Sequence, residues 1–577
     1  MDEDDRYSAR VVEGVSIRTA PVVAEGYVSC MVVSFVCAGV TGWRDLIPAG
    51  GNRLYHTRQP ISIHQIMDKE TEAAPTTSIP HDTKPATASS DKKSFGRDVG
   101  KLVSGTVIAQ IVGFCAYPLI TRLFEPEIYG VYTLVLSIVS ILSVIGCFRY
   151  EPAIVLPKED RDASSLIFAS LGILVGVCLI SGLIMLLFGS EIGHLLNSAE
   201  VSSFLWVVPV MLFVNCSYTV LRFWNTRRKR FGMQAATQVT QTLSSSGLQV
   251  GLGTIGLINP GSLIFSNILG HLAGTLVLFW SIVKKDLQVI KSGLSFSNIK
   301  AQIVRYKKFP LIDSWANLLN SLSWQAPPLL LAAFFSPTVT ALYALGFMLL
   351  QTPMSLIGSS LGQVYFQRGA EEYRKGTLNH LLEDVTEMLL ILSIVPLALL
   401  LTMGGSMFGV VFGSQWTEAG VYCQILAVWA FVWFLTSTTG NTTYNIINKQ
   451  ELMMRFSIIN LAVRLAALII GGVCHSIYLA LCLFTLSGII SYGYSIYLTF
   501  RETKASFASV LRNGRTPILL TGVLIAISFI LNYVLNLNAF LLIGFAVFVC
   551  ICYYLYLIRN NTTLGRYFPI NLKFLRK

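Results

Sequence analysis

The chain has 577 residues, 53% of them hydrophobic and only 13% charged, with a mean hydropathy of +0.61. Soluble domains carry roughly a quarter charged residues, so about half the usual charge is missing. That excludes a disordered chain, a water-soluble enzyme of this size and a disulfide-rich secreted scaffold. The 43 Lys+Arg against 31 Asp+Glu leave a net charge of +12, whose placement matters more than its sum in so apolar a chain.

The first hundred residues stand apart. The acidic start (Asp2, Glu3, Asp4, Asp5) is the wrong flank for a signal peptide. Tyr27–Val40 is apolar but too short to cross a bilayer, and Met67–Asp98, rich in Thr, Ser, Ala, Pro and Lys, has the composition of a disordered tail. Residues 1–98 are therefore expected to be a largely disordered extension, with two readings open: a native start at Met67, or a real N-terminal extension ahead of it.

From about residue 100 onward one pattern repeats, an apolar run long enough to span a bilayer (about 20 residues) followed by a short polar break. Fourteen candidates follow in order. The first six are Leu102–Leu123, Tyr129–Phe148, Ser165–Phe188, Phe204–Leu221, Gln234–Gly256 and Leu263–Val283. The next six are Pro310–Phe335, Val339–Val364, Val385–Met403, Tyr422–Thr439, Leu452–Val473 and Ile477–Leu498. Pro517–Leu537 and Ala539–Ile558 close the series. The expected fold is an all-α polytopic membrane protein of about fourteen transmembrane helices. Residues 99–284 form a first six-helix bundle, 285–309 a basic cytoplasmic linker, and 310–500 a second bundle. Residues 501–577 add two extra helices and a basic tail.

The breaks orient the chain. Even-numbered breaks collect nearly all Lys and Arg, for example Arg222, Arg227, Arg228, Lys229 and Arg230 in the fourth, whereas those at Asn259-Pro260, Ser336-Pro337 and Asn538 hold none. Positive charge stays inside, so both ends of the chain are placed in the cytoplasm. The odd breaks are too short to hold an outer domain, and any chemistry must lie within the spans.

The two sets of six look related. Pro118 to Pro126, then Tyr132, answers Pro328 to Pro337, then Tyr343; Phe188-Gly-Ser190 after span 3 answers Phe412-Gly-Ser414 after span 9. Equivalents are six spans apart, an even number, so the bundles run the same way and are related by a pseudo-two-fold along the membrane normal. Three spans carry polar residues in steps of three or four, which keeps them on one helix face. These are Thr106, Gln110, Tyr117 and Thr121 in span 1, Gln234, Gln238, Gln241, Ser245 and Gln249 in span 5, and Asp313, Asn317, Asn320 and Trp324 in span 7. One amide in a span is glue between helices; three such faces point to a water-filled cavity.

Few charges break the topological pattern. Arg464 sits near the middle of span 11, where an arginine costs about 2.5–3.5 kcal/mol, so an inward, cavity-facing position is expected. Asp313 opens span 7 as a helix-start residue or an ion-coupling carboxylate. Arg122 closes span 1 at the outer surface, as a snorkelling side chain or a pathway cation. Arg149 and Glu151 flank the cytoplasmic mouth as a surface pair or a gate. The 11 cysteines form no C-x-x-C, and neither a Walker A sequence nor a metal-ligand cluster occurs. No metal and no catalytic residue is expected.

Several of these segments are familiar as a set. Ser104-Gly105-Thr106 through Leu123, Pro126-Glu-Ile-Tyr-Gly130 and Arg149-Tyr-Glu-Pro-Ala-Ile-Val-Leu-Pro-Lys158 belong to it, as do Arg222-Phe-Trp-Asn225 with Arg230-Phe231, Tyr306 to Pro310, and Leu345-Gly346 through Pro353 to Gln363-Val364-Tyr365-Phe366. Together they resemble the polysaccharide biosynthesis and export family, the O-antigen and capsule repeat-unit flippases of the multidrug/oligosaccharidyl-lipid/polysaccharide exporter superfamily. The resemblance covers about Lys93 to Leu557. It implies two bundles around a central cavity and alternating access that flips a polyprenyl-pyrophosphate-linked oligosaccharide across a bacterial inner membrane. It implies no cofactor, coupling to an H+ or Na+ gradient, and partnership with the lipid-linked oligosaccharide, the membrane, and a glycan polymerase with its chain-length machinery. Nucleic acid is not a partner. Arg464 and Arg122 would then attract the pyrophosphate, with Gln110, Asn317, Asn320, Trp324, Gln238 and Gln241 along the pathway. The chain departs from the family in its first hundred residues and in an amide-rich cavity with few cations, which suits a weakly charged or neutral repeat unit. Three alternatives are a multidrug exporter, a peptidoglycan-precursor flippase of the same superfamily and, from another class, a membrane glycan polymerase.

Overall fold

The computed structural model describes residues 88–560. The readings made for residues 1–87, the start at Met67 among them, and for the C-terminal tail lie outside the described residues. Among the described residues no strand occurs, as expected where lipid offers no partner to backbone N–H and C=O groups.

Fourteen long helices stand where the spans were expected. The first six are α1 (Ala88–Leu123), α2 (Pro126–Gly146), α3 (Asp160–Leu195), α4 (Val208–Arg227), α5 (Phe231–Thr254) and α6 (Pro260–Ser292). Six more follow as α7 (Ser314–Phe334), α8 (Pro337–Lys375), α9 (Leu378–Phe412), α10 (Thr417–Ser437), α11 (Gln450–Val473) and α12 (Ile477–Thr503), then α13 (Arg515–Phe529) and α14 (Ala539–Asn560). Eleven of them are long and apolar enough to cross a membrane, and the chain is a multi-pass membrane protein. The three below that standard, α5, α7 and α8, all take part in the polar features described below.

The breaks work as start signals. Asn259 and Ser336 accept hydrogen bonds from the backbone N–H of Ser262 and Val339, and Pro260, Pro337 and Pro126 each open a helix at its first turn. Helix edges run past expectation at both ends, α3 to Leu195 and α9 to Phe412 on one side, and furthest at the basic end, where Lys and Arg collect. There α6 runs on to Ser292 and α8 to Lys375, since polar sequence outside the hydrocarbon still favours helix. Likewise α1 begins at Ala88, inside the segment expected as a disordered tail.

The internal repeat is visible in the packing. In both halves the same helix pairs touch: α3 on α4 and α9 on α10, α4 on α6 and α10 on α12, α5 on α6 and α11 on α12, α2 on α4 and α8 on α10. Pro118 lies inside α1 and Pro327 and Pro328 inside α7, again at matching places. One sequence match fails. Gly413 ends α9 with φ of 110°, whereas α3 continues helical through Gly189 and Ser190 to Leu195.

The halves meet through α2, which packs on both α7 and α8. α13 and α14 pack against α9, held by the Tyr553 hydroxyl donating to the Ile391 carbonyl at 2.7 Å and the Thr402 hydroxyl donating to Ser528 at 2.9 Å. Such interhelical bonds are the usual glue where hydrophobicity alone cannot choose partners.

At the end opposite the basic one, the two equivalent junctions press together. A Cβ on Gly130 would lie 2.0 Å from the Pro337 carbonyl oxygen, so only glycine permits this approach. Gly130→Ala is expected to push α2 and α8 apart at a cost of about 1–3 kcal/mol. A fall in the melting temperature of the purified protein would report it; an unchanged value would contradict the contact.

Candidate functional site

A cavity of about 370 Å³ lies between α1, α5 and α8. Thr106, Gln110, Phe114 and Tyr117 of α1 face Gln238, Gln241 and Thr242 of α5, and Met348, Thr352 and Ser355 of α8 complete the wall. The stripes of α1 and α5 thus converge on this cavity. The Thr106 hydroxyl donates to Gln238 Oε1 at 2.7 Å, and the Gln110 amide donates to the Ser355 hydroxyl across the two halves at 3.3 Å. Gln241 Nε2 lies 2.7 Å from the half-buried ring of His271 on α6. Eight of its twelve lining residues carry an amide or a hydroxyl, with Phe114 and Met348 among the apolar remainder, and no charged side chain lines it among the described residues.

The stripe on α7 serves other purposes. Asp313, at the end of a π-helical turn (Phe309–Asp313) that leads into α7, accepts a hydrogen bond from Arg149 Nε at 2.9 Å and another from Asn317 at 3.1 Å. Asn320 is exposed and does not line the cavity. Trp324 turns toward α11, where its ring lies 5.1 Å from the Arg464 guanidinium.

Arg464 is buried within the second half and is not among the residues that line this cavity. Its guanidinium carbon lies 4.7 Å from the Trp429 ring, 5.1 Å from Trp324 and Phe484, and 5.6 Å from Tyr492. No ion pair holds it among the described residues, and its Nε and Nη2 lack hydrogen-bond partners, as do Asn460 Oδ1 and Trp429 Nε1 beside it. Ring faces attract a cation, which explains why four aromatic rings surround an otherwise costly buried charge.

The remaining sequence candidates sort to the two ends. Arg122 donates to the Val410 carbonyl at 2.7 Å and so ties α1 to α9 at the end opposite the basic one. Beside it, the Trp416 indole and the Gln415 amide both donate to the Thr121 carbonyl, at 2.7 and 2.9 Å. A helix-end carbonyl without an intrahelical partner is thereby satisfied from the other half. At the basic end, Arg149 bridges the halves through Asp313 and also lies 3.5 Å from Glu151. Glu151 is buried, and burial holds its carboxyl above the usual carboxylate range, with Arg149 opposing.

A family model described as polysaccharide biosynthesis protein matches residues 119–421, more than half of the chain. The chain belongs to the polysaccharide biosynthesis protein family. Among solved structures it is similar to a lipid II flippase MurJ in an inward closed conformation, with a TM-score of 0.61 and 13% identity over 79% of this chain and 99% of that one. At that identity the likeness is one of fold. It is also similar to an inward-facing multidrug resistance MATE family transporter of the MOP superfamily (TM-score 0.46, 14% identity, 70% and 94% covered). A third similar structure is a mutant of the Vibrio cholerae MATE transporter VcmN (TM-score 0.45, 14% identity, 73% and 99% covered). No curated protein sequence matches the chain.

In this polysaccharide biosynthesis protein three of the segments that resemble the family, residues 149–158, 222–231 and 306–310, lie at the basic end. Arg227 donates to the carbonyls of Pro157 at 2.6 Å, Lys158 at 3.2 Å and Val155 at 3.3 Å, and pairs with Asp160. It thus fixes the loop that carries Arg149. Arg230 grips buried Asp286 with both nitrogens, at 2.6 and 2.9 Å, and the Trp224 indole donates to the same carboxylate. Phe148 and Arg149 hold left-handed φ values of 47° and 59°, which non-glycine residues adopt only where surroundings compel them.

Sequence reasoning missed the wall supplied by α8 and three rings of the Arg464 cage. Met348, Thr352 and Ser355 recur at helical spacing, a signal that a polar-stripe search extended to α8 would have found. Trp429, Phe484 and Tyr492 come from α10 and α12, and nothing in their local sequence joins them to Arg464.

Proposed function

We propose that this chain flips polyprenyl-pyrophosphate-linked oligosaccharide repeat units across the inner membrane of a bacterium by alternating access, without enzymatic chemistry. The observation that carries this reading is the cavity between α1, α5 and α8. In a member of a polysaccharide biosynthesis family, its amides and hydroxyls match the donors and acceptors of a sugar and add no fixed charge. A weakly charged or neutral repeat unit suits such a wall. The cavity lies between helices of both halves, so a rocking of one half against the other exposes it to one side and then the other.

Charge orients the cycle: the basic end faces the cytoplasm by the positive-inside bias, which puts Arg149, Glu151 and Asp313 at the cytoplasmic gate and Arg122 at the outer one. Arg464 is the counter-charge for the pyrophosphate, uncovered when the aromatic rings around it part. An ion gradient drives the cycle, and the glycan polymerase with its chain-length machinery receives the flipped unit.

The test is a deletion strain of the source bacterium. It should accumulate lipid-linked repeat units on the cytoplasmic face and lose surface glycan, and the intact gene should restore both. If peptidoglycan precursor accumulates instead, or no lipid-linked saccharide does, the reading falls.

A further inference from the structure

We propose that Glu151 is a proton-binding site whose occupancy is tied to the gate at the basic end. Its carboxyl holds a proton while Arg149 reaches across to Asp313, and loses that proton to water when the two halves part there. The inference rests on the alternating-access reading, and it supplies the coupling ion that reading leaves open.

The geometry is an uneven contest for one guanidinium. Arg149 Nε lies 2.9 Å from Asp313 Oδ2, whereas its Nη1 lies 3.5 Å from Glu151 Oε1. The Asp313 side chain is 40% exposed and keeps water as a second partner; that of Glu151 is 6% exposed and has none to spare. Its Oε2 is buried with no hydrogen-bond partner among the described residues. An ionised carboxylate left in that state costs far more than a neutral one. The ionisable groups acting on it are Arg149 on its own loop, Asp313 before α7, Arg222 on α4 and the Cys147 thiol at the end of α2. The direction of its shift, upward through burial, agrees with the geometry.

Opening reverses the contest. Asp313 moves away with α7, Arg149 becomes free to pair with Glu151, and water reaches the carboxyl, so the proton leaves. Closure takes one up again. The closed gate therefore binds one more proton than the open gate, and acid favours closure. By linkage, the ratio of closed to open changes by up to tenfold per pH unit between the two values of the carboxyl. That window opens above the ordinary glutamate value of about 4.3.

Distance measurement tests this without any glycan. Nitroxides on Leu156→Cys and Leu311→Cys, both exposed positions on the two sides of the gate, are placed in the full chain in lipid nanodiscs, with label-accessible native cysteines replaced by serine. Between about pH 5 and 8 the short-distance population should fall as pH rises, by up to tenfold per unit. Glu151→Gln should hold the short distance at every pH, and Asp313→Asn the long one. A chain whose distances ignore pH, or a Glu151→Gln variant that keeps the pH response of the parent, overturns the proposal. The parent series alone suffices if a variant does not fold. A pH-driven gate in a protein that flips no lipid-linked sugar would refute the transport reading and leave this one standing.

Discussion

Arg464→Met is expected to abolish glycan export while leaving the protein as stable as the parent, or more so. Two opposing effects set the stability. The rings of Trp324, Trp429, Phe484 and Tyr492 attract the guanidinium by roughly 0.5–2 kcal/mol each. Against them stand the several kcal/mol that a buried ion loses in leaving water, and two N–H groups without partners, at about 1–3 kcal/mol apiece. Methionine fills most of the same space with no charge, and such replacements of buried charge by apolar groups are often neutral or stabilising by about 1–4 kcal/mol. Arg464→Ala makes the informative contrast, since it removes charge and volume together and should destabilise by about 2–5 kcal/mol through the void it leaves. Thermal unfolding of both variants beside an export assay separates the cases. A methionine variant that exports normally would remove Arg464 from the pathway. One that unfolds several degrees earlier than the parent would mean that the cage is structural.

The span positions were legible because each depends on one local property, about 20 apolar residues between polar breaks, and because the charge parity checks the count. Even the convergence of α1 and α5 could be anticipated, as Gln110 and Gln238 sit on stripes that must find a polar neighbour somewhere. The pairings across the molecule were not legible. Arg149 and Asp313 are 164 residues apart, and each alone looks like a surface charge beside a membrane. Only the folding of α2 against α7 brings them together. Arg464 shows the same limit from the other side: its cost in the membrane was readable from one position, whereas the rings that offset that cost come from three other helices. The polar stripe on α7 misled for a physical reason, since its first residues lie at the membrane surface and solvate a gate there, while Trp324 turns into the bundle.

Asp286→Ala is expected to destabilise the protein by about 3 kcal/mol. The Asp286 carboxylate, 4% exposed, holds Arg230 in a two-point grip, accepts from the Trp224 indole at 3.1 Å and lies 3.4 Å from Arg228 Nε. Its removal leaves two arginines facing each other and an indole N–H with no acceptor. Breaking a buried pair by deleting one partner costs about 3–5 kcal/mol, and the arginines, 22% and 25% exposed, recover part of that from water. Replacing both members, Asp286→Leu with Arg230→Met, removes the uncompensated charge and should restore about half of the loss. The effect reaches the gate, because Arg228 also pairs with Asp160 at 2.9 Å, and Asp160 with Arg227 anchors the loop that ends in Arg149. In Asp286→Ala that loop should become the first site of limited proteolysis, at residues 150 to 158, under conditions where the parent resists cleavage. If melting temperature and cleavage pattern both match the parent, the cluster is surface decoration and the basic end is held by packing alone.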